Sequence, residues 1–325
     1  MKKHVVVYKP LPPELLLRLK RDYQVSEFAR IDATNRTAFR EALCRAEGAI
    51  GAGVTMDAET LAGTDRLRIL STVSVGFDSF DLACLRARGI LLTHTPDVLT
   101  ETVADLVFAL ILAAARRIVE TAAYVKAGNW RGSVPEAMFG TDVHHRTLGL
   151  LGMGRIGLAV ARRAALGFGM RVIYDDHKTV PRAERDFGAE RRSFADVLAE
   201  ADVVVVLLPL RPENEHLIDA RAFARMKPTA IFVNAARGRV VDEVALVAAL
   251  RDGRIRAAGL DVFEKEPLPA DSPLLSLANV VAVPHIGSAT RETREAMAAM
   301  AVDDLIAGLE GRKPAHLVDE SVWKG

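Results

Sequence analysis

Short apolar runs alternate with helix-length segments in the first part of the chain. The apolar runs lie at residues 5–8, 49–52, 69–73 and 90–92. Helical patterns lie between them, at residues 14–21, 40–46 and 80–88. Strands separated by helix-length segments are typical of βαβ units, in which the strands form a parallel sheet. These residues are therefore predicted to form an α/β unit.

A second and stronger alternation begins at Thr147. Its apolar runs lie at 148–151, 171–174, 201–208, 230–233, 257–260 and 280–283, with helical patterns at 155–167 and 293–309. The run at 201–208 is apolar throughout, as expected for a strand that is buried on both faces. Between the two alternations, residues 100–117 predict one long helix capped by Thr100, followed by an irregular stretch from Gly128 to Arg146. The pattern thus predicts two α/β units.

Composition narrows the class of protein. The chain has 325 residues, which corresponds to about two domains at roughly 150 residues each. Lys+Arg 43 against Asp+Glu 42 leaves a net charge of +1, which argues against a nucleic-acid binder and a polybasic membrane anchor. Cys44 and Cys84 are too few for a disulfide framework. No apolar run approaches the roughly 20 residues of a membrane span, so we expect a cytoplasmic protein.

A glycine loop follows the first strand of the second alternation. Gly152-Met153-Gly154-Arg155-Ile156-Gly157 fits G-x-G-x-x-G and opens a predicted helix. In this context the glycines permit a tight turn, the approach of a pyrophosphate and close helix–strand packing. Asp175 ends the next strand, where an acid accepts hydrogen bonds from the adenosine ribose. The motif predicts NAD(P)H binding rather than a ligand-free turn.

The residues after that strand bear on which dinucleotide is bound. The carboxylates of Asp175 and Asp176 would repel a 2′-phosphate, whereas the nearby His177, Lys178 and Arg182 could attract one. On balance NAD(H) is favoured over NADP(H).

Polar segments follow the later predicted strands, at 234–238, 259–264, 266–267 and 284–288. Reduction of a ketone by a nicotinamide needs a proton donor, for which His285 is suited. A carboxylate such as Glu266 would fix the histidine tautomer, and the guanidinium of Arg237 would pair with a substrate carboxylate. Taken singly, such residues are more often a surface arginine, a satisfied histidine or a loop glutamate. Their joint position behind a dinucleotide motif predicts a reductase of 2-oxo acids.

Several segments resemble the D-isomer-specific 2-hydroxyacid dehydrogenases over nearly the whole chain. They are residues 74–78, 100–105, 152–157, 234–238, 259–264 and 284–290. Within that family the chain is most similar to the bacterial glyoxylate/hydroxypyruvate reductase B group, also called 2-ketogluconate reductases or gluconate 2-dehydrogenases. Supporting segments are residues 140–145, 271–275 and 281–290.

The resemblance implies a role for individual residues. His285 would be the acid/base, Glu266 its partner, and Arg237 the group that binds the substrate carboxylate. Substrate binding would also involve Ser74, Val75, Gly76 and Ser288. The implied cofactor-binding residues are Thr102, Gly152, Gly154, Arg155, Ile156, Gly157, Asp175, Pro209, Ala235, Ala236, Arg237, Asp261, His285 and Gly287. No metal site is implied, and the pair His144-His145 lacks further ligands in the sequence.

The resemblance also implies a domain organisation. The fold would consist of two Rossmann-like or flavodoxin-like parallel-sheet domains, with the cofactor domain inserted into a split substrate domain. Residues 1–98 and 288–325 would form the substrate domain, and residues 99–287 the NAD(P)-binding Rossmann domain. An arm at about residues 118–146, which contains Trp130, would mediate a homodimer. No nucleic-acid or membrane partner is expected.

The implied activity is NAD(P)H-dependent reduction of hydroxypyruvate, glyoxylate or 2-ketogluconate to D-2-hydroxy acids. Two alternatives remain open at this point. One is another D-2-hydroxyacid dehydrogenase, of the D-glycerate or phosphoglycerate type. The other is a dinucleotide-sensing regulator similar to corepressors of the same fold.

Overall fold

A computed structural model describes residues 2–324 of the chain. Its strands are β1 (His4–Val7), β2 (Gln24–Glu27), β3 (Gly48–Gly51), β4 (Ile69–Thr72), β5 (Leu91–Thr93), β6 (Thr147–Leu151), β7 (Arg171–Asp175), β8 (Glu190–Arg191), β9 (Val203–Val206), β10 (Ile231–Asn234), β11 (Ala257–Leu260) and β12 (Val280–Ala282). Its α-helices are α1 (Pro13–Asp22), α2 (Arg36–Arg45), α3 (Leu82–Arg88), α4 (Thr100–Ala115), α5 (Ile118–Lys126), α6 (Arg155–Phe168), α7 (Pro181–Phe187), α8 (Phe194–Glu200), α9 (Ala220–Arg225), α10 (Glu243–Arg251) and α11 (Arg291–Leu309).

These elements divide into two units. The split unit comprises the described residues up to Leu99 and from Ala289 onwards, and the central unit is Thr100–Ser288. The split unit contains a parallel sheet of order β2-β1-β3-β4-β5. The central unit contains a parallel sheet of order β12-β11-β10-β9-β6-β7-β8. The prediction of two parallel-sheet α/β units is confirmed.

Helices cover both faces of the central sheet. Along β9, Val203 and Val205 pack on the α4 and α6 side, whereas Val204 and Val206 pack on the α8 to α10 side. This alternation explains why the strand reads as a continuous apolar run, since both faces of a parallel sheet are covered.

In the split unit, α11 runs antiparallel to the strands on one face of the sheet. The side chain of Leu305 lies against Gly48 at the start of β3, and the Ser71 hydroxyl donates to the carbonyl of Ala301 at 2.7 Å. Because these contacts place the C-terminal turns of α11 near the strand starts, its first turn lies towards the carboxyl ends of the strands.

Several element boundaries differ from the prediction. The segment 100–117 forms two helices rather than one, because Arg117 adopts a left-handed φ of 55° between α4 and α5. Thr100 is the first residue of α4 rather than its cap. Strand β2 was not predicted, because its sequence QVSE is largely polar and lies at a sheet edge. None of the helices in residues 2–324 is both long and apolar enough to cross a bilayer.

Candidate active site

The carboxyl ends of six strands form one row across the central sheet. The registers align Leu151, Asp175, Val206, Asn234, Leu260 and Ala282 across β6, β7, β9, β10, β11 and β12. The glycine loop, Arg237, Asp261 and His285 all follow within three residues of this row. Ligands of parallel α/β sheets bind beyond this edge.

The glycine loop has the geometry of a phosphate cradle. Gly152 has φ of 100°, and a Cβ on Gly157 would lie 2.4 Å from the carbonyl oxygen of Gly152. A Cβ on Gly154 would meet no protein atom within 4 Å, so the space in front of this residue is open. α6 begins at the next residue, and no side chain caps its N-terminus. Backbone N–H groups of the first turn are thus available to an anion, which fits a dinucleotide diphosphate.

Two neighbouring carboxylates lie beside this loop. Asp175 ends β7. Burial raises the pKa of Asp175, the charge of Asp176 adds to this effect, and the charge of Arg191 opposes it. Asp176 accepts a hydrogen bond from the N–H of Met153 at 2.8 Å. The carboxylate of Asp176 therefore joins the end of β7 to the glycine loop.

Arg237 is presented by a loop that closes on the end of β10. The Asn234 side chain accepts from the N–H of Ala236 at 3.1 Å and donates to the carbonyl of Arg237 at 3.0 Å. A Cβ on Gly238 would lie 1.8 Å from the carbonyl carbon of Phe263. Only glycine therefore lets this loop lie against the loop that follows β11. The guanidinium of Arg237 donates to the carbonyl of Ala236 at 2.7 Å.

His285 and Glu266 form a hydrogen-bonded pair. The Nδ1 atom of His285 lies 2.7 Å from Oε2 of Glu266, and Oε1 of Glu266 accepts from the N–H of Phe263 at 3.1 Å. Burial alone would raise the pKa of Glu266, but these hydrogen bonds and the charges of His285 and Arg237 outweigh it and lower the pKa. The carboxylate thus stays charged and orients the ring through Nδ1, and within the described residues Nε2 of His285 forms no hydrogen bond or ion pair.

Asp261 holds the loop that carries His285. Its buried carboxylate accepts from the N–H groups of Ile286 at 2.6 Å and of Gly287 at 2.9 Å. Burial raises the pKa of Asp261, opposed by these two hydrogen bonds and by the charge of His285. His285 itself has a left-handed φ of 52°, an uncommon conformation for a non-glycine residue that recurs at functional sites.

The other predicted site residues are distributed over both units. In the central unit, Thr102 lies in the first turn of α4, Pro209 follows β9, and Ser288 ends the unit. Arg155 and Ile156 open α6, and Ala235 precedes Ala236 after β10. Ser74, Val75 and Gly76 belong to the split unit, where they follow β4.

The loop at Ser74–Gly76 is held through its carbonyl groups. The Ser74 hydroxyl donates to the carbonyl of Gly76 at 2.8 Å, and Nδ1 of His94 lies 3.0 Å from the carbonyl oxygen of Val75. Within residues 2–324, the N–H groups of Val75 and Gly76 donate to no protein acceptor. Two donors are therefore available to an anionic ligand at this loop.

Sequence reasoning missed two anchoring contacts of the central unit. They are the Asn234 side chain in the Arg237 loop and the bond from Met153 to Asp176. An asparagine directly after a buried strand is a signal for the first, because its short side chain readily bonds nearby backbone. Across the described part of the chain, no cluster of three or more His, Cys, Asp or Glu side chains could hold a metal ion.

Comparison with known proteins gives the family. Residues 108–287 match the model of the D-isomer specific 2-hydroxyacid dehydrogenase NAD-binding domain. The glyoxylate/hydroxypyruvate reductase B of Serratia proteamaculans is 52% identical over 324 residues, which covers 100% of both chains. The crystal structure of a protein from Thermus thermophilus has a TM-score of 0.90 at 45% identity and covers 97% of this chain and 100% of that one.

A further structure has a bound cofactor. It is the NADPH-dependent glyoxylate/hydroxypyruvate reductase of Sinorhizobium meliloti in complex with NADP and malonate. Its TM-score is 0.87 at 30% identity, and the match covers 100% of this chain and 99% of that one. The family model and these full-length matches agree, and the chain belongs to the D-isomer-specific 2-hydroxyacid dehydrogenase family.

Proposed function

We propose that this protein is an NAD(P)H-dependent reductase that converts small 2-oxo acids to D-2-hydroxy acids. Hydroxypyruvate, glyoxylate and 2-ketogluconate are the leading substrates. The observation that carries the proposal is the pair of His285 and Glu266 at the same sheet edge as the glycine loop. The activity named for the full-length Serratia relative supports it.

The residues of the pair divide the acid–base work. When bound, NAD(P)H supplies the hydride that reduces the carbonyl carbon. Nε2 of the protonated His285 ring delivers a proton to the carbonyl oxygen, which completes the alcohol. Glu266 accepts the Nδ1–H and stabilises the positive charge that the ring carries before transfer. In the oxidative direction the neutral ring takes the proton back.

The substrate carboxylate is bound by a guanidinium group and by backbone N–H groups. Arg237 binds the carboxylate and polarises the carbonyl through its guanidinium. Support for a second contact comes from the unused N–H groups of Val75 and Gly76. Ser288 adds a polar contact. In this proposal residues 1–98 and 288–325 form the substrate domain and residues 99–287 the cofactor domain.

The chain's own residues also favour NADH over NADPH. The diphosphate would lie at Gly152–Gly157 and the start of α6, with the adenosine ribose at Asp175. Asp175 and Asp176 place two carboxylates next to the loop, and Asp176 is held there by the N–H of Met153. A 2′-phosphate would meet their charge, whereas ribose hydroxyls can donate to them.

A homodimer through residues 118–146 is part of the proposal. This arm exposes large apolar side chains: Ile118, Val119, Val125, Trp130, Val134 and Phe139. A groove of about 500 Å³ lies beside it, lined by residues of α4, α5, β11 and β12. So many large exposed apolar side chains in one segment support a protein interface there. The thiols of Cys44 and Cys84 are both free, which supports a cytoplasmic location.

A substrate panel tests the activity. Oxidation of NADH and of NADPH is followed with hydroxypyruvate, glyoxylate and 2-ketogluconate in parallel. We expect turnover with at least one of these acids and faster turnover with NADH. Tight cofactor binding without turnover of any 2-oxo acid would contradict the proposal and favour the regulator instead. 3-Phosphohydroxypyruvate is assayed in the same way, and turnover confined to it would favour the phosphoglycerate type.

A further inference from the structure

Two basic side chains of the split unit have no acidic partner. Lys9 follows β1, and Arg294 lies in the first turn of α11. Both are partly buried. Within residues 2–324, neither side chain forms a hydrogen bond or an ion pair with another group. Most basic residues of this unit that are partly buried do have such partners, as Arg88 has with Asp65.

The sheet register places Lys9 level with the loop that follows β4. Val7 is aligned with Ile50, and Ile50 with Ser71. Two residues further along, Lys9 therefore stands level with Val73, one residue before Ser74–Gly76. Two strand spacings separate β1 from β4 in the sheet, which corresponds to about 10 Å.

Lys9 lies towards the face of the sheet that carries α11. Val6 and Tyr8 pack with Phe39 and Leu43 on the α2 face. The last ladder bond runs from the N–H of Tyr8 to the carbonyl of Ile50, and the backbone bends at Lys9. The charge of Arg294 on α11 acts on Lys9, so the lysine lies towards the opposite face. The first turn of α11, with Arg294, lies at this end of that face, since Ala301 contacts Ser71 and the C-terminal turns contact the strand starts.

The positive charges of Lys9 and Arg294 repel each other. Burial, and secondly the charge of Arg294, lowers the pKa of Lys9 to about 8. No acidic group offsets either effect. Positive charges held together in a partly desolvated place attract an anion more strongly than exposed charges do.

We propose that Lys9 and Arg294 form an anion subsite for the distal end of the substrate, which takes a second carboxylate or a phosphate. This inference rests on the proposed function, in which the loop Ser74–Gly76 binds the 2-oxo carboxylate. A lysine side chain and a short dianionic acid together span the distance of about 10 Å between the two positions. The subsite makes dianionic 2-oxo acids of about five carbons the preferred long substrates.

A matched substrate pair tests the subsite. 2-Oxoglutarate and 2-oxovalerate have the same length, and only the former has a distal carboxylate. We expect the wild type to show a higher kcat/KM for 2-oxoglutarate than for 2-oxovalerate. Lys9→Met and Arg294→Met should each reduce the ratio of these two kcat/KM values about tenfold, because each variant removes one charge-assisted hydrogen bond. Arg68→Met is the control, since it removes an exposed cation just before β4, at the opposite end of the strands of the same sheet.

A binding measurement separates this inference from the proposed function. Calorimetric titration of the wild type, the two variants and the control uses glutarate and pentanoate, which need no turnover. Tighter binding of glutarate that is lost in Lys9→Met and Arg294→Met, but kept in Arg68→Met, is the expected result. Equal binding of glutarate and pentanoate by the wild type overturns the subsite, even if hydroxypyruvate is reduced normally. So does a glutarate preference that both variants retain.

Discussion

The Nδ1 atom of His285 lies 2.7 Å from Oε2 of Glu266, and the loop that carries this histidine is held by Asp261. The backbone at His285 is left-handed, so the ring owes its position to these contacts rather than to a regular element. One ring nitrogen is therefore bound to Glu266, and the proposed function assigns the other to proton transfer. We therefore predict different effects for variants of Glu266 and of His285.

Replacing Glu266 tests the partner role. Glu266→Gln keeps the shape and an acceptor but removes the negative charge, so the positive ring is less stabilised. We expect kcat with hydroxypyruvate to fall by about one to two decades, a part of what acid–base catalysis contributes. Glu264→Gln is the matched control, because Glu264 forms a similar pair with Nε2 of His216 at 2.7 Å. An equal loss in both variants would mean that Glu266 has only a structural effect.

The carboxylates after β7 should set the cofactor preference. Asp175→Asn and Asp176→Asn each remove one negative charge with little change of shape. We expect each variant to reduce the ratio of the NADPH to the NADH dissociation constant by about tenfold. A tenfold change corresponds to about 1.4 kcal/mol, which is a modest charge–charge interaction at a partly buried site. Nucleotide fluorescence measures both constants without turnover. Asp186→Asn, in α7, is the control, and an unchanged ratio in both test variants would contradict the assignment.

The exposed arm should mediate self-association. Val119 and Trp130 are 56% and 60% exposed, and a glutamate at each would place charge in the proposed interface. We expect the double variant Val119→Glu/Trp130→Glu to sediment as a monomer while the wild type sediments as a dimer. Val244→Glu tests a similarly apolar position outside the arm, where the side chain is 80% exposed, and should leave the dimer intact. A monomeric wild type would refute the interface.

Asp202 should make the stability of the central unit depend on pH. Its carboxylate accepts from Nζ of Lys227 at 2.8 Å and from the N–H of Thr147 at 2.9 Å. Burial raises the pKa of Asp202, but these two groups outweigh it and the net pKa is lowered. The stabilisation is therefore complete above the pKa of the unfolded chain and is lost as the pH falls through the lower folded value.

Thermal unfolding measures this contribution. At pH 7 we expect Asp202→Asn to lower the free energy of unfolding by about 1 kcal/mol. This is the contribution of a hydrogen bond to a charged group after it is weakened by solvent screening. The difference from the wild type should shrink below about pH 4, where carboxylates begin to be protonated. Asp22→Asn, at an exposed ion pair, is the control and should have a smaller effect at pH 7. A difference that persists unchanged into acid would contradict the linkage.

The sequence predicts the central sheet well because its strands are apolar and buried on both faces. The sequence does not predict β2, because the polar side chains of this strand show no strand pattern. The strand is defined by its backbone pairing with β1. Sequence prediction also fails at Arg117, where a backbone turn divides a continuous apolar pattern. The contact of Asp176 with Met153 depends on which loops meet at the sheet edge, which follows from strand order rather than from local sequence. The Asn234 contacts are local, and the asparagine after the strand is their signal.

Turnover by the His285→Ala variant measures what the proposed proton donor contributes to the reaction. NADH oxidation with hydroxypyruvate is compared for the wild type and His285→Ala, and NADH binding is measured for both. We predict that the wild type turns over and that the variant loses about two to four decades in kcat, since it lacks the proton donor but keeps the glycine loop. The dissociation constant for NADH should change little. Near-normal turnover by His285→Ala would contradict the account.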